Sequence, residues 1–169
     1  MNDVMVIEPR RFEDDRGWFM ETFKQCRSRQ RFEQDSLSYS KRNVLRGLHM
    51  QLPHAQGKLV YCVTGRVRDV AVDLREGSPT YGQHVVHEIS AEDGRQIYIP
   101  EGFAHGFVVL SEDALFAYKS TVPYDPDGQV SIRWDDPDLG IDWGVTDPIL
   151  SEKDADAPLL RDASRDLRT

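Results

Sequence analysis

The feature that most constrains the fold is a succession of short apolar segments in the middle of the chain, each bounded by glycine, proline or acidic turn residues. Two of them alternate apolar residues with polar or small ones, which is the period of a half-buried β-strand. Many short strands at near-regular spacing predict an all-β sandwich or barrel. The predicted strands cover residues 59–63, 69–74, 84–89, 96–99, 105–110, 115–120 and 130–134.

The two ends of the chain are less regular. A turn at residues 15–17 is expected to bring Trp18, Phe19 and Phe23 to a strand or to the edge of the core. The other predictions for the ends are a short strand at 5–7, a short surface helix at 24–32, a loop or edge strand at 34–42, one helical turn from Ser151, and a frayed terminus at 161–169.

Composition limits the partners that this chain can bind. The 169 residues suit one domain that is large enough to bury a core. The net charge of −8 argues against nucleic acid or an anionic membrane surface as a partner. Cys26 and Cys62 make no disulfide framework, and neither a signal-peptide pattern nor an apolar run of membrane-spanning length is present. We therefore expect one cytoplasmic domain, residues 1–169.

Residues 44–58, VLRGLHMQLPHAQGK, gather Arg46, His49 and Lys58 directly before an apolar, strand-like run. An imidazole can remove a proton near neutral pH, a lysine can stabilise the resulting oxyanion, and an arginine can hold an anionic group of a substrate. These residue types suit a reaction at an activated C–H bond beside a carbonyl. The alternative is a polar loop between strands, in which the histidine is hydrogen-bonded to a neighbour.

Residues 94–109, GRQIYIPEGFAHGFVV, place Gly94, Pro100, Gly102 and His105 at the spacing of the second cupin motif, with valine in place of its closing asparagine. With LRGLH upstream and YKSTVPYDP, IRWDDPDLGIDW and LSEKDA downstream, the chain closely resembles the dTDP-4-dehydrorhamnose 3,5-epimerase family from about residue 6 to 160. The resemblance implies an all-β cupin jelly roll with short peripheral helices.

A cupin also suggests a metal site, and this is the main rival interpretation. Metal-binding cupins usually supply an HxH pair and a glutamate from the first motif, but Met50 and Gln51 follow His49 here. A site built from His49, His54 and His105 remains conceivable. It lacks a carboxylate in the first motif, and Lys58 nearby would disfavour a divalent cation. We therefore expect no metal and no cofactor, and we interpret His84 and His87 as surface or structural residues.

The resemblance assigns a role to each candidate residue. His49 matches the catalytic base, Asp154 the carboxylate that orients and charges it, Tyr118 the acid on the opposite face, and Lys58 the lysine beside the C4 carbonyl oxygen of the sugar. The residues that match positions holding the nucleotide, the diphosphate or the sugar are Arg16, Glu21, Gln34, Arg46, His105, Tyr124, Gln129 and Lys153.

The chemistry requires these residue types. Inversion beside a ketone removes a proton from one face and adds one to the other, so the intermediate enolate needs a preorganised cation or hydrogen-bond donor. Two alternatives stay open from the residues alone. Tyr118 could be a buried strand tyrosine with a satisfied hydroxyl, and Asp154 could cap a helix near Ser151.

The family pattern is not matched everywhere. Gln129 stands where many family members have glutamate, Ser36 where asparagine is common, and the chain starts several residues later than usual. In this family the N-terminal segment forms an exchanged strand at a dimer interface, so the resemblance implies a homodimer whose contact is trimmed.

The expected reaction inverts C3 and C5 of dTDP-4-dehydro-6-deoxy-D-glucose. The alternatives are a single-carbon epimerase acting on a related dTDP-4-keto sugar, a metal-dependent cupin oxygenase or isomerase, and a non-catalytic sugar-binding cupin.

Overall fold

Residues 3–163 are described by the computed structural model, and strands dominate them. The strands are β1 Met5–Ile7, β2 Arg11–Asp14, β3 Gly17–Met20, β4 Gln34–Lys41, β5 Leu45–Gln51, β6 Lys58–Thr64, β7 Arg66–Asp73, β8 His84–Ser90, β9 Gln96–Ile99, β10 Phe103–Val109, β11 Asp113–Ser120 and β12 Gln129–Ser131. The helices are a 3₁₀ turn at Gln25–Arg27, α1 Glu152–Ala155 and α2 Leu160–Ala163. The all-β prediction is confirmed.

The strands form two five-stranded antiparallel sheets and a separate two-stranded ribbon. The first sheet has the order β1-β9-β6-β11-β4, the second has the order β12-β5-β10-β7-β8, and β2 pairs with β3. Neighbouring strands within each sheet are mostly distant in sequence, so the chain crosses repeatedly between the two sheets. This arrangement agrees with the jelly roll that the cupin motif implies.

Two apolar clusters pack against the second sheet, one on each of its faces. The inner cluster joins residues of both sheets, among them Val60 and Phe116 from the first and Val67 and Phe107 from the second. The outer cluster packs the opposite face of the second sheet against the chain after β12; its members from that later segment include Ile132, Leu139, Trp143, Leu160 and Ala163. The second sheet is therefore covered on both faces.

Strand β7 differs from its predicted pattern for this reason. Its alternation predicted one buried and one exposed face, but Asp69, Ala71 and Asp73 are buried as fully as Val70 and Val72. The prediction of a half-buried strand was wrong because a central strand covered on both faces has no solvent side.

Near the N-terminus, the predicted helix at 24–32 is reduced to the 3₁₀ turn, and the rest of that segment is irregular. The turn at residues 15–17 is confirmed, with Gly17 at φ +130°. It places Trp18 and Phe19 on β3, but they are 54% and 64% exposed and do not reach the core. Residues 34–41 form β4 at the edge of the first sheet, as one of the two alternatives predicted.

At the C-terminal end, the helical turn after Ser151 is confirmed as α1. The prediction that fraying begins at residue 161 was wrong, because α2 extends to Ala163 and both Leu160 and Ala163 are buried in the outer cluster. The remainder of that predicted segment, residues 164–169, lies outside the described residues.

Candidate active site

A polar cleft of about 320 Å³ opens between the two sheets and is closed on one side by α1. Strands of both sheets contribute to it, so residues distant in sequence face one another. The residues that line it are Arg46, His49, Lys58, His105, Gly106, Phe107, Tyr118, Gln129, Ser151, Lys153 and Asp154. Eight of the twelve residues proposed from the sequence are among them.

The two diagnostic sequence blocks meet through the pairing of β5 with β10. His49 lies directly opposite His105 in this antiparallel pair, and the register shifts between His105 and Phe107. Gly47 and Gly106 permit the close approach of these backbones, since a Cβ built on Gly47 would lie 2.6 Å from the Gly106 Cα. Gly47 also has a φ of +118°, which disfavours other residues.

His49 is bonded to a buried carboxylate from the far end of the sequence. Its Nε2 lies 2.6 Å from Oδ1 of Asp154, whose side chain is 5% exposed while that of His49 is 25% exposed. The other carboxylate oxygen, Oδ2, accepts a hydrogen bond from the Ser151 hydroxyl at 2.8 Å. The Ser151 hydroxyl in turn accepts from the Asp154 backbone N–H as the N-cap of α1. Asp154 thus takes part in the cap and orients His49 at the same time.

The carboxylate form of Asp154 is favoured by its contacts. Burial acts to raise its pKa, but the hydrogen bond and charge of His49, with further hydrogen bonds from Ser151 and the Gly47 backbone, lower the pKa below its ordinary value. An ionised carboxylate against one ring nitrogen fixes the orientation of His49 and leaves its other ring nitrogen to face the substrate. This pairing suits a general base.

Tyr118 approaches the cleft from β11, on the opposite sheet. Its ring packs edge-on against Phe116 at 5.0 Å between centroids and also contacts Phe107 and His105. Its hydroxyl lies 2.9 Å from the Ser38 hydroxyl on β4. Burial raises the pKa of Tyr118, while the hydrogen bond with Ser38 and the charge of Arg46 lower it in part. Tyr118 is therefore a protonated, rigidly held phenol at neutral pH.

His105 is bonded to a buried carboxylate, Asp69 of β7, whose negative charge also acts on Lys58. Oδ2 of Asp69 lies 2.6 Å from Nε2 of His105, and both residues are buried. Desolvation lowers the pKa of Lys58 to about 8, and the negative charge of Asp69 partly opposes that shift. Sequence reasoning missed Asp69, because an alternating strand pattern makes such a residue look solvent-facing.

A chain of hydrogen bonds joins four more of the proposed residues at the mouth of the cleft. The side-chain oxygen of Gln129 accepts from the Tyr124 hydroxyl at 2.8 Å and from the Lys153 ammonium at 3.0 Å. The side-chain oxygen of Gln34 accepts from the Tyr124 backbone N–H at 2.7 Å. Tyr124 and Gln34 do not line the cleft itself, but this chain connects them to it.

Arg46 lies on β5 at the same cleft and is fixed from β4. Its Nε donates to the Ser40 hydroxyl at 3.0 Å, and one terminal nitrogen donates to the Tyr39 carbonyl at 3.4 Å. Ser38 and Ser40 were both missed at the sequence level. The available signal was the alternation of serines at 36, 38 and 40, which places three hydroxyls on one face of a strand.

Arg16 and Glu21 do not line this cleft within the single chain. Arg16 lies in the turn between β2 and β3 and is paired with Asp14 at 2.6 Å. Glu21 faces Lys24 and Arg27 in a separate, larger cleft of about 770 Å³ beside β1.

The histidines lie at separate places in the structure and have different partners. His54 lies on an exposed loop, whereas His49 and His105 are each bonded to their own carboxylate. Among residues 3–163, no group of three or more His, Cys, Asp or Glu side chains is arranged to hold a metal ion. His84 and His87 lie half-buried on β8.

The part of the chain that the structure describes also contains no helix long and apolar enough to cross a membrane.

Comparison with known proteins is consistent across sequence and structure. Residues 1–162 match the family model described as dTDP-4-dehydrorhamnose 3,5-epimerase. The enzyme of that name from Pseudomonas aeruginosa is 54% identical, over 95% of this chain and 93% of its own. A dTDP-4-dehydrorhamnose 3-epimerase from Streptomyces niveus is 40% identical, over 95% of this chain and 81% of its own.

The solved structures agree with the sequence comparison. The crystal structure of a dTDP-6-deoxy-D-glucose-3,5-epimerase from Legionella pneumophila, in complex with dTDP-4-keto-L-rhamnose, superposes with a TM-score of 0.95 at 48% identity. The match covers 99% of this chain and 93% of that one. The chain therefore belongs to the dTDP-4-dehydrorhamnose 3,5-epimerase family.

Proposed function

We propose that this protein inverts C3 and C5 of dTDP-4-dehydro-6-deoxy-D-glucose and so produces dTDP-4-dehydro-L-rhamnose. The observation that carries the proposal is the placement of His49, paired with Asp154, and of Tyr118 on opposite sheets of one cleft, with Lys58 beside them. A base and an acid on opposite sides of a bound sugar are what inversion of configuration requires.

The position of the ketone explains how one set of residues serves two carbons. C3 and C5 both flank the C4 carbonyl, so removal of either proton places negative charge on the same C4 oxygen. The Lys58 ammonium stabilises that charge in each half-reaction. His49 takes the proton from one face, and the Tyr118 hydroxyl returns a proton to the other. The reaction exchanges protons without net oxidation, so it needs no redox cofactor.

The nucleotide carries negative charge that this acidic protein must offset locally. Arg46, Lys58 and Lys153 supply three cationic side chains around the cleft. We assign Arg46 and Lys153 to the diphosphate or sugar, with Gln129, Tyr124, Gln34 and His105 completing the binding surface.

The reaction proceeds without a metal ion in this proposal, because Lys58 supplies the positive charge at the C4 oxygen and the two cleft histidines are engaged by carboxylates. Activity should survive exhaustive treatment with EDTA. A chelator-sensitive activity that one divalent metal restores would support a metal-dependent cupin instead.

The whole chain acts as one epimerase domain in a homodimer. The ribbon and β1 expose large apolar side chains, Val6, Phe12, Trp18 and Phe19 among them, which a second copy would cover. Arg16 and Glu21 lie outside the cleft of their own chain, so a role in binding requires that second copy. Sedimentation should give a dimer mass, and Phe19→Asp should lower it to that of a monomer.

The free Cys26 and Cys62 agree with a cytoplasmic location.

Proton NMR in D₂O tests the reaction and its nearest alternative. With the wild-type protein, the H3 and H5 signals of the substrate should both disappear as deuterium enters, and the inverted product should accumulate. The Streptomyces relative, named as a 3-epimerase, makes single-carbon inversion the second candidate. Loss of one signal alone would establish that alternative, and loss of neither would leave a binding protein.

A further inference from the structure

Strand β4 carries three serines at alternate positions, and the hydroxyl of each one contacts a side chain that the proposed function uses. Ser36 accepts a hydrogen bond from the Gln34 amide at 3.0 Å, and Ser40 accepts from Arg46 at 3.0 Å. Between them, Ser38 meets the Tyr118 hydroxyl at 2.9 Å. Residues two apart on a strand share one face, so the alternation of serines gives these contacts directly.

Within residues 3–163, the hydroxyls of Ser38 and Tyr118 are hydrogen-bonded to each other, and neither hydroxyl has a second partner. The pairing of β4 with β11 sets Ser38 opposite Phe116 and Ser36 opposite Tyr118, so Ser38 and Tyr118 are diagonal neighbours on one face. The ring contacts with Phe116 and Phe107 leave the phenol little freedom to turn.

The direction of this hydrogen bond follows from the chemistry. A phenol has a single proton, and Tyr118 must aim it at the substrate carbon in order to deliver it. Ser38 must then be the donor, and the Tyr118 oxygen the acceptor. Once the proton has left, a phenolate remains in buried surroundings. The Ser38 hydrogen bond and the Arg46 charge are the two influences that favour that phenolate.

We propose that Ser38 is a positioning residue for the acid step: it holds the Tyr118 oxygen, stabilises the phenolate and passes a solvent proton to it. The inference rests on the proposed epimerase function. In each inversion the Tyr118 O–H bond breaks as the new C–H bond forms. The Ser38 proton then moves to the phenolate oxygen, and a proton from water replaces it on Ser38. His49 releases the proton that it took to water, so no net proton is consumed.

The position of Ser38 suits this exchange with solvent. It lies on β4, the edge strand of the first sheet, and it is half-buried, as Tyr118 is. Because Ser38 is not fully buried, its hydroxyl can exchange its proton with water.

Ser38→Ala, Ser38→Thr and a control, Tyr39→Phe, test the proposal by proton NMR in D₂O. The control removes a hydroxyl that also bonds between β4 and β11, to Asp113 at 3.2 Å, but at an exposed position. Loss of one hydrogen bond to a charged group should lower inversion in Ser38→Ala about 10- to 100-fold. Deuterium exchange without inversion should fall much less, so the ratio of exchange to inversion rises. Ser38→Thr should restore inversion, and Tyr39→Phe should match the wild type.

A ratio of exchange to inversion in Ser38→Ala equal to that of the wild type would overturn the proposal, whether the two rates are unchanged or fall together. A second check uses the Tyr118→Phe background, in which Ser38→Ala should have no further effect on inversion, since there is no phenolate to stabilise. An additional loss there would assign Ser38 a different role. Failure of the epimerase function itself is separate, because it would appear as no exchange in the wild-type protein.

Discussion

Replacement of Asp154 by asparagine would separate the charge of the His49 partner from its shape. Asparagine keeps an oxygen that can accept a hydrogen bond from His49, at the position where the structure has a 2.6 Å contact. It also keeps the backbone N–H that Ser151 caps. The change removes the negative charge, and with the amide nitrogen at the Oδ2 position it also removes the acceptor of the Ser151 hydroxyl. The contact with His49 is retained, so the variant tests whether the charge assists proton abstraction.

The structure sets the size of the effect. At 2.6 Å, two unit charges in an effective dielectric of about 20 attract by about 6 kcal/mol. The His49 side chain is 25% exposed, so water screens part of this attraction. Disruption of a buried ion pair costs about 3–5 kcal/mol. Because asparagine retains the hydrogen bond, we expect the lower end, about 3 kcal/mol, which is roughly a 10²-fold loss of rate.

The assay is deuterium exchange and inversion measured together by NMR. Both should fall by the same factor in Asp154→Asn, since the enolate forms more slowly but then partitions as in the wild type. At neutral pH the variant should be less stable than the wild type, because it lacks the contribution of the Asp154 charge. Because the pKa of Asp154 is lowered in the folded state, wild-type stability includes a contribution that is lost as pH falls through that lowered pKa. The variant should lack that loss. Exchange within tenfold of the wild type would refute the role of the Asp154 charge.

Three further predictions concern other cleft residues. Tyr118→Phe keeps the base and the lysine, so deuterium should still enter C3 or C5 while inverted product falls by about 10²–10⁴-fold; a folded variant that inverts at near wild-type rate would contradict the acid role. Arg46→Ala should weaken thymidine diphosphate binding by at least about 1.5 kcal/mol in calorimetry, and unchanged affinity would remove Arg46 from the binding site. Because desolvation lowers the pKa of Lys58 to about 8, kcat/KM should fall as pH rises through that value and the ammonium loses its proton. Lys58→Arg, whose guanidinium stays charged, should lose that alkaline limb even if its maximal rate is lower, and a wild-type profile that is flat to pH 10 would contradict the assignment.

Several features of this protein were determined by local sequence. Strand periodicity predicted the all-β class, because alternation reports which face of a strand meets apolar neighbours. The turn at residues 15–17 and the α1 cap at Ser151 followed from residues within a few positions of one another. Arg46, His49 and Lys58 were recognised together since they lie in one short stretch whose residue types suit a reaction beside a carbonyl.

The family resemblance also identified site residues that are too far apart in the sequence for a local pattern to connect. Asp154 is 105 positions from His49 along the chain, and Tyr118 is 80 from Ser38. From the sequence alone, Asp154 could be either a helix-capping residue or the carboxylate that pairs with His49. The structure gives it both contacts, because its two carboxylate oxygens point to different neighbours.

Tertiary structure alone decided which polar residues became buried partners. Asp69 lies on a strand whose alternation predicted a solvent face, but the opposing sheet encloses that face and the chain after β12 covers the other. Asp69 could therefore pair with His105 in the interior. Likewise, only the pairing of β4 with β11 turned a run of alternating serines into supports for Tyr118 and Arg46. A sequence pattern shows which residues share a face, but what that face meets depends on how the sheets close around it.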